Sequence, residues 1–86
     1  PPTKQLAVAS RESLTASVTR TIAEYAVPEA VERALANDNA MFDELGLGTA
    51  IDRFEGVSQV MAAMVHRNQL PVAVTEKLVS IVSGSL

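Results

Sequence analysis

Val27 to Ala40, VPEAVERALANDNA, reads as one complete helix with a signal at each end. Proline is accepted at the first helical position, where its missing N–H has no partner to lose, so Pro28 starts the element. Glu29 and Glu32 favour the positive end of its dipole. Ala30, Val31, Ala34 and Leu35 recur at helical spacing and form a buried stripe. Asn37-Asp38-Asn39 closes the helix and caps the next, because short Asx side chains accept hydrogen bonds from free helix N–H groups. One short helix with one apolar face cannot stand alone and must bury that face against another element.

The same grammar extends in both directions. Upstream, Leu14, Val18, Ile22 and Tyr25 step by helical intervals along a helix from Ser13 to about Ala26, and Thr3 to Arg11 forms a ragged first helix with Thr3 as N-cap. Downstream, Asp43 and Glu44 sit in the first turn of a fourth helix whose apolar side carries Met41, Phe42, Leu45, Ile51 and Phe54. Gly46 and Gly48 lie inside it, at a propensity cost of about 1 kcal/mol each, and allow close packing or mark a kink. After Gly56, Val57, Val60, Met61, Met64 and Val65 form a fifth stripe that runs to Arg67, with Asn68 as C-cap. Pro71 opens a last helix with Val74, Leu78, Ile81 and Val82 on one face, and Gly84 stops it. No alternating run is long enough for a strand. The expected fold is all-α: five or six short antiparallel helices joined by short loops.

The helices also repeat. Ile22, Ile51 and Ile81 lie 29 and 30 residues apart. An offset of 29 aligns Val31 with Val60, Ala34 with Ala63, Tyr25 with Phe54 and Asn39 with Asn68. A period near 30 in helix pairs is the footprint of a stacked α-solenoid, and it suggests units at 28–54 and 57–83. VPEAVERALANDNA, the helix after it, and above all LPVAVTEKLVSIVSGSL (Leu70 to Leu86) resemble the bacterial DUF2336 family, a domain of unknown function. The resemblance covers Ser13 to Leu86 and implies HEAT-like stacked helix pairs. It brings no active site and no cofactor. The two glycines of the fourth helix and the ragged first helix depart from a tidy repeat.

Composition narrows the function classes. Eighty-six residues make one small domain, and a processed or excised piece of a longer protein is expected from the Pro1-Pro2 start. Hydrophobic residues are 48% but aromatics only 3%, so the core must be aliphatic. With no cysteine, disulfides and thiolate chemistry are excluded. A net charge of −3 disfavours nucleic acid and anionic membranes as partners. No apolar run approaches the roughly 20 residues of a membrane span, and a cytoplasmic location is expected.

Candidate chemistry is sparse. His66 is the only imidazole, with Arg67 beside it as its one basic neighbour, and a phosphorelay adaptor using His66 is the alternative reading. Asp43 with Glu44 and Asp52 with Glu55 are the close carboxylate pairs; helix-end stabilisation explains the first and a solvated face the second. Met41, Met61 and Met64 suit core filling. Ser10, Ser13, Thr15, Ser17, Thr19 and Thr21 form a hydroxyl-rich stripe without a neighbouring base. Residues 29 to 55 hold seven acids and two bases, whereas each flank carries about one net positive charge. No catalytic, cofactor-binding or metal residue is assigned, and no small-molecule substrate is evident. The expectation is a non-enzymatic protein-interaction module, bound to a protein partner or to itself through open apolar ends that include Val79, Ile81, Val82 and Leu86.

Overall fold

The computed structural model describes residues 2–9, 13–67 and 70–84, and within them six helices follow one another. They are α1 Pro2–Ala9, α2 Ala16–Tyr25, α3 Pro28–Ala36, α4 Glu44–Phe54, α5 Ser58–Val65 and α6 Val72–Gly84. The only β-type pairing among the described residues is an isolated bridge between Leu14 and Ala40. There the Leu14 carbonyl accepts from the Met41 N–H at 2.8 Å, and the Leu14 N–H donates to the Asn39 carbonyl at 3.4 Å. The fold is all-α.

The ends of the helices follow from local chemistry. Thr15 caps α2 by accepting from the Val18 N–H, and Asp43 caps α4 by accepting from the Gly46 N–H at 2.8 Å. Pro28 begins α3 and Asn37 ends it. Val27 supplies no side-chain cap, and its own N–H donates instead to the Gln5 side chain of α1 at 2.9 Å. A distant residue thus completes a helix entrance that local sequence leaves open.

The most extensive packing joins helices two apart in the chain: α2 with α4, α3 with α5 and α1 with α3. Their direction is fixed by contacts at both ends. Thr19 reaches the Met41 carbonyl just before α4 begins, and Arg53 near the end of α4 reaches the Ala23 carbonyl near the end of α2. These two helices therefore run the same way. Gln5 meets the entrance of α3 and Asn37 at its exit donates to the Ala9 carbonyl, so α1 and α3 do likewise. The body measures 37 × 22 × 18 Å.

Leu35, Leu47, Ile51, Met64, Val31 and Val60 are the largest fully buried apolar side chains. Burying each of the leucines and isoleucines contributes about 1.5–3 kcal/mol. Ala23, Ala30, Ala34 and Ala50 fill the space between them and let helix axes approach closely. Gly46 extends this logic. A Cβ there would stand 3.6 Å from the Arg20 Cα and 3.2 Å from the Asp43 carboxylate, so the residue permits close contact of α4 with α2. Around Gly48 the same atom would meet open space.

Several local expectations differ from what forms. Tyr25 is 75% exposed rather than on the buried face, because Thr19, Ile22, Ala23 and Ala26 define that face and Tyr25 lies about 100° round from it. Leu14 is buried from the bridge segment before α2, not from the helix. Thr3 is inside α1 and α4 starts at Glu44, so Met41 and Phe42 precede it and Asp43, not Asn39, is its cap. Val65 points out of the core. Ser10, Arg11, Asn68 and Leu86 lie outside the described residues, as does the side chain of Val82.

Candidate interaction surface

Two arginines tie the layers together. Arg67, just past α5, is half-buried and directs its guanidinium at the end of α3, donating to the Leu35 carbonyl at 2.7 Å, the Ala40 carbonyl at 2.8 Å and, more weakly, the Asn37 carbonyl at 3.5 Å. Carbonyls at a helix C-terminus have no intrahelical donors and carry the negative end of the dipole, so a cation there is doubly favoured. The guanidinium also lies 4.7 Å from the centre of the Phe42 ring. Its burial lowers the pKa from the ordinary value, partly opposed by the nearby Asp38 carboxylate. Arg53 repeats the arrangement on a smaller scale, donating to the Ala23 carbonyl at 2.7 Å with its guanidinium 4.5 Å from the centre of the Phe54 ring.

A third cross-layer contact is ionic. Arg20 of α2 pairs with Asp43 at the start of α4. Hydrogen bonding from Arg20, and then from the Gly46 N–H, holds the Asp43 carboxyl below its ordinary pKa, while Asp43 raises that of Arg20. Thr19, fully buried, places its hydroxyl 2.6 Å from the Met41 carbonyl and 3.1 Å from that of Ala16; its one proton serves the shorter contact better. Asp52 pairs with Lys77 of α6 at 2.6 Å across an exposed surface.

These contacts leave His66 in a distinctive position. It ends α5, is exposed, and borders a trough of about 460 Å³ between α3 and α5. Ala36, Ala62 and Ala63 give the trough small apolar walls, with Glu32, Asp38 and Gln59 at its edges. A second hollow of about 530 Å³ adjoins it through Glu32 and Ala36 and continues to Glu29 and Asn37. Arg67 also lines the trough, and its guanidinium is bonded to the Leu35 and Ala40 carbonyls.

The remaining candidates separate. Met64 is buried in the core, Met61 packs against it, and Met41 is 66% exposed. Ser13, Thr15, Ser17 and Thr21 are exposed while Thr19 is buried, so the hydroxyl stripe is divided between surface and core. Glu44 and Glu55 are exposed. Among the described residues, no three His, Asp or Glu side chains are grouped to hold a metal ion, and no helix is long and apolar enough to cross a membrane. On α6 only Val74 is fully buried among the described side chains, Leu78 and Ile81 are half-buried, and Val72 and Val79 are exposed. Sequence reasoning missed the arginine clamps. Their signal was a cation at or just after a helix end, about 30 residues beyond the carbonyls it serves.

The chain belongs to a bacterial family, DUF2336, described as an uncharacterised protein conserved in bacteria, whose model matches residues 1–86. No curated protein and no solved structure matches it significantly.

Proposed function

We propose that this member of an uncharacterised bacterial family is a non-enzymatic protein-interaction module of the cytoplasm. It is a HEAT-like stack of antiparallel helix pairs, with repeat units at 28–54 and 57–83, which binds a protein partner or a second copy through an open end. The observation that carries the reading is the stitching of helices two apart, from α1 to α3, α2 to α4 and α3 to α5, by side chains that bond backbone groups 22 to 32 residues away. A solenoid grows by adding such layers, and its last layer keeps a face that the next would cover. On α6 that face carries Val72 and Val79, seven residues apart and therefore two turns along one side.

The test is the mass of the whole chain in solution, by sedimentation or light scattering over a wide concentration range. Self-association through the α6 face gives a dimer or larger species that Val72→Glu with Val79→Glu returns to a monomer. A strictly monomeric mass at every concentration removes self-association and leaves a foreign protein as the occupant.

A further inference from the structure

We propose that the trough between α3 and α5 docks a cationic amphipathic segment of a partner protein. This rests on the interaction-module reading and gives the partner its chemistry. The trough has alanine walls, from Ala36, Ala62 and Ala63, which admit the close approach of another helix or strand. Its edge carries Glu32 and Asp38, and the adjoining hollow adds Glu29.

The two cations in this lining are already engaged. Arg67 is held by three backbone carbonyls and a phenyl ring, and Arg33 has a partner of its own. Across trough and hollow, Glu29, Glu32 and Asp38 outnumber Arg33 and Arg67, so the lining keeps a net negative charge. Glu29 and Glu32 lie three residues apart on α3, so they stand about one turn from each other, matching lysines or arginines at i and i+3 or i+4 of a partner helix. The nine residues of α3 span about 13 Å, the length of a similar stretch of partner helix. Small aliphatic residues between the cations would face the alanines.

Among the described residues, a second copy of this chain does not supply such a segment. Arg20 and Lys77 are paired with Asp43 and Asp52, and Arg53 is bound to the Ala23 carbonyl. No described helix presents two unengaged cations a turn apart. The trough therefore calls for a foreign segment, whereas the α6 face is where self-contact is expected.

The probe is a labelled twelve-residue peptide of lysines and small aliphatic residues in helical register, with a control in which every lysine is glutamate. Fluorescence anisotropy with the whole chain, at low salt and at about 0.15 M, reads binding. The expected result is saturable binding of the cationic peptide, about tenfold or more tighter than the control and weakened by salt. Glu32→Lys weakens it about tenfold, and Ala62→Arg, which fills the trough, does the same with an unchanged thermal melt. No saturable binding at low salt overturns the proposal, as does binding indifferent to both substitutions. A stabilising response to calcium in place of the peptide overturns it too. If the trough fails while the α6 variants still alter the solution mass, the interaction module stands; if the trough holds and the mass never changes, the module stands with a foreign partner alone.

Discussion

Arg67→Met tests whether side chains that reach distant carbonyls hold α3 and α5 together. The substitution keeps the aliphatic stem and deletes the guanidinium, stranding the Leu35 and Ala40 carbonyls that it meets at 2.7 and 2.8 Å. A hydrogen bond to a charged donor contributes about 1.5–3 kcal/mol when buried, and leaving a buried acceptor empty costs about 1–3. Arg67 is only half-buried, so water reaches part of the site, and the lower end applies: about 1 kcal/mol for each short bond. Loss of the Phe42 contact adds about 0.5, giving about 2–3 kcal/mol in all. A domain of this size has a total stability of about 4–13 kcal/mol, so the effect is a large share of it. The melting temperature, followed by far-ultraviolet circular dichroism, should fall by roughly 8 to 24 °C. Arg67→Lys restores less than half of that, because one ammonium cannot reproduce the guanidinium fork that serves carbonyls on both Leu35 and Ala40. A methionine variant within about 0.5 kcal/mol of the parent, or full rescue by lysine, would refute the reasoning.

Other predictions follow from the helix ends and glycines. The Arg20 guanidinium holds the Asp43 carboxyl below its ordinary 3.8, so the pair's stabilisation is present above that value and is lost as pH falls through the lower, folded pKa. Asp43→Asn keeps a competent cap but should flatten the acid limb of urea midpoints measured below about pH 4; equal slopes for the two proteins would count against the pair. Gly48→Ala, with open space around its new methyl, is expected to raise stability by about 0.5–1 kcal/mol in a denaturant titration, whereas Gly46→Ala gains nothing because its methyl meets Arg20 and Asp43. A larger gain at position 46 than at 48 would invert the assignment of which glycine serves packing.

How far the fold was legible depends on whether its causes were local. Pro28, Glu29 and the stripe Ala30, Val31, Ala34 and Leu35 announce α3 because every cause lies within nine residues, and all four stripe residues are buried. Pro71 likewise marks the start of α6 and Gly56 the end of α4, each to within two residues. Tyr25 failed because helical spacing identifies a face only by its centre, and a residue at the margin is turned in or out by what packs there. Leu14 failed for a different reason: its burial comes from a bridge to Ala40, a pairing that no local pattern encodes. The arginine clamps were hidden for the same cause, since an exposed-looking Arg at a helix end gives no sign of which distant carbonyls it will meet. His66 and Arg67 looked like a pair in sequence, yet Arg67 belongs to the end of α3 and His66 to solvent.

The same distinction between near and distant causes divides the helices by how firmly each is held. Aliphatic side chains and alanines build a thin core, and α2 through α5 supplement it with Thr19, Arg20, Arg53 and Arg67 bonds that each join two layers. The last helix has little of this. It packs chiefly on α4 and, among its described side chains, buries Val74 fully and places Lys77 in an exposed ion pair with Asp52, of a kind that contributes about 0–1 kcal/mol. Local opening is easiest where buried contacts are fewest, so α6 is the element whose position is most cheaply altered. The trough between α3 and α5 is the opposite case. Its walls belong to the helices that Arg67 locks together, so a ligand there meets a preformed surface and loses little free energy to ordering it. The difference between the α3–α5 face and α6 follows from where the long side chains find carbonyls.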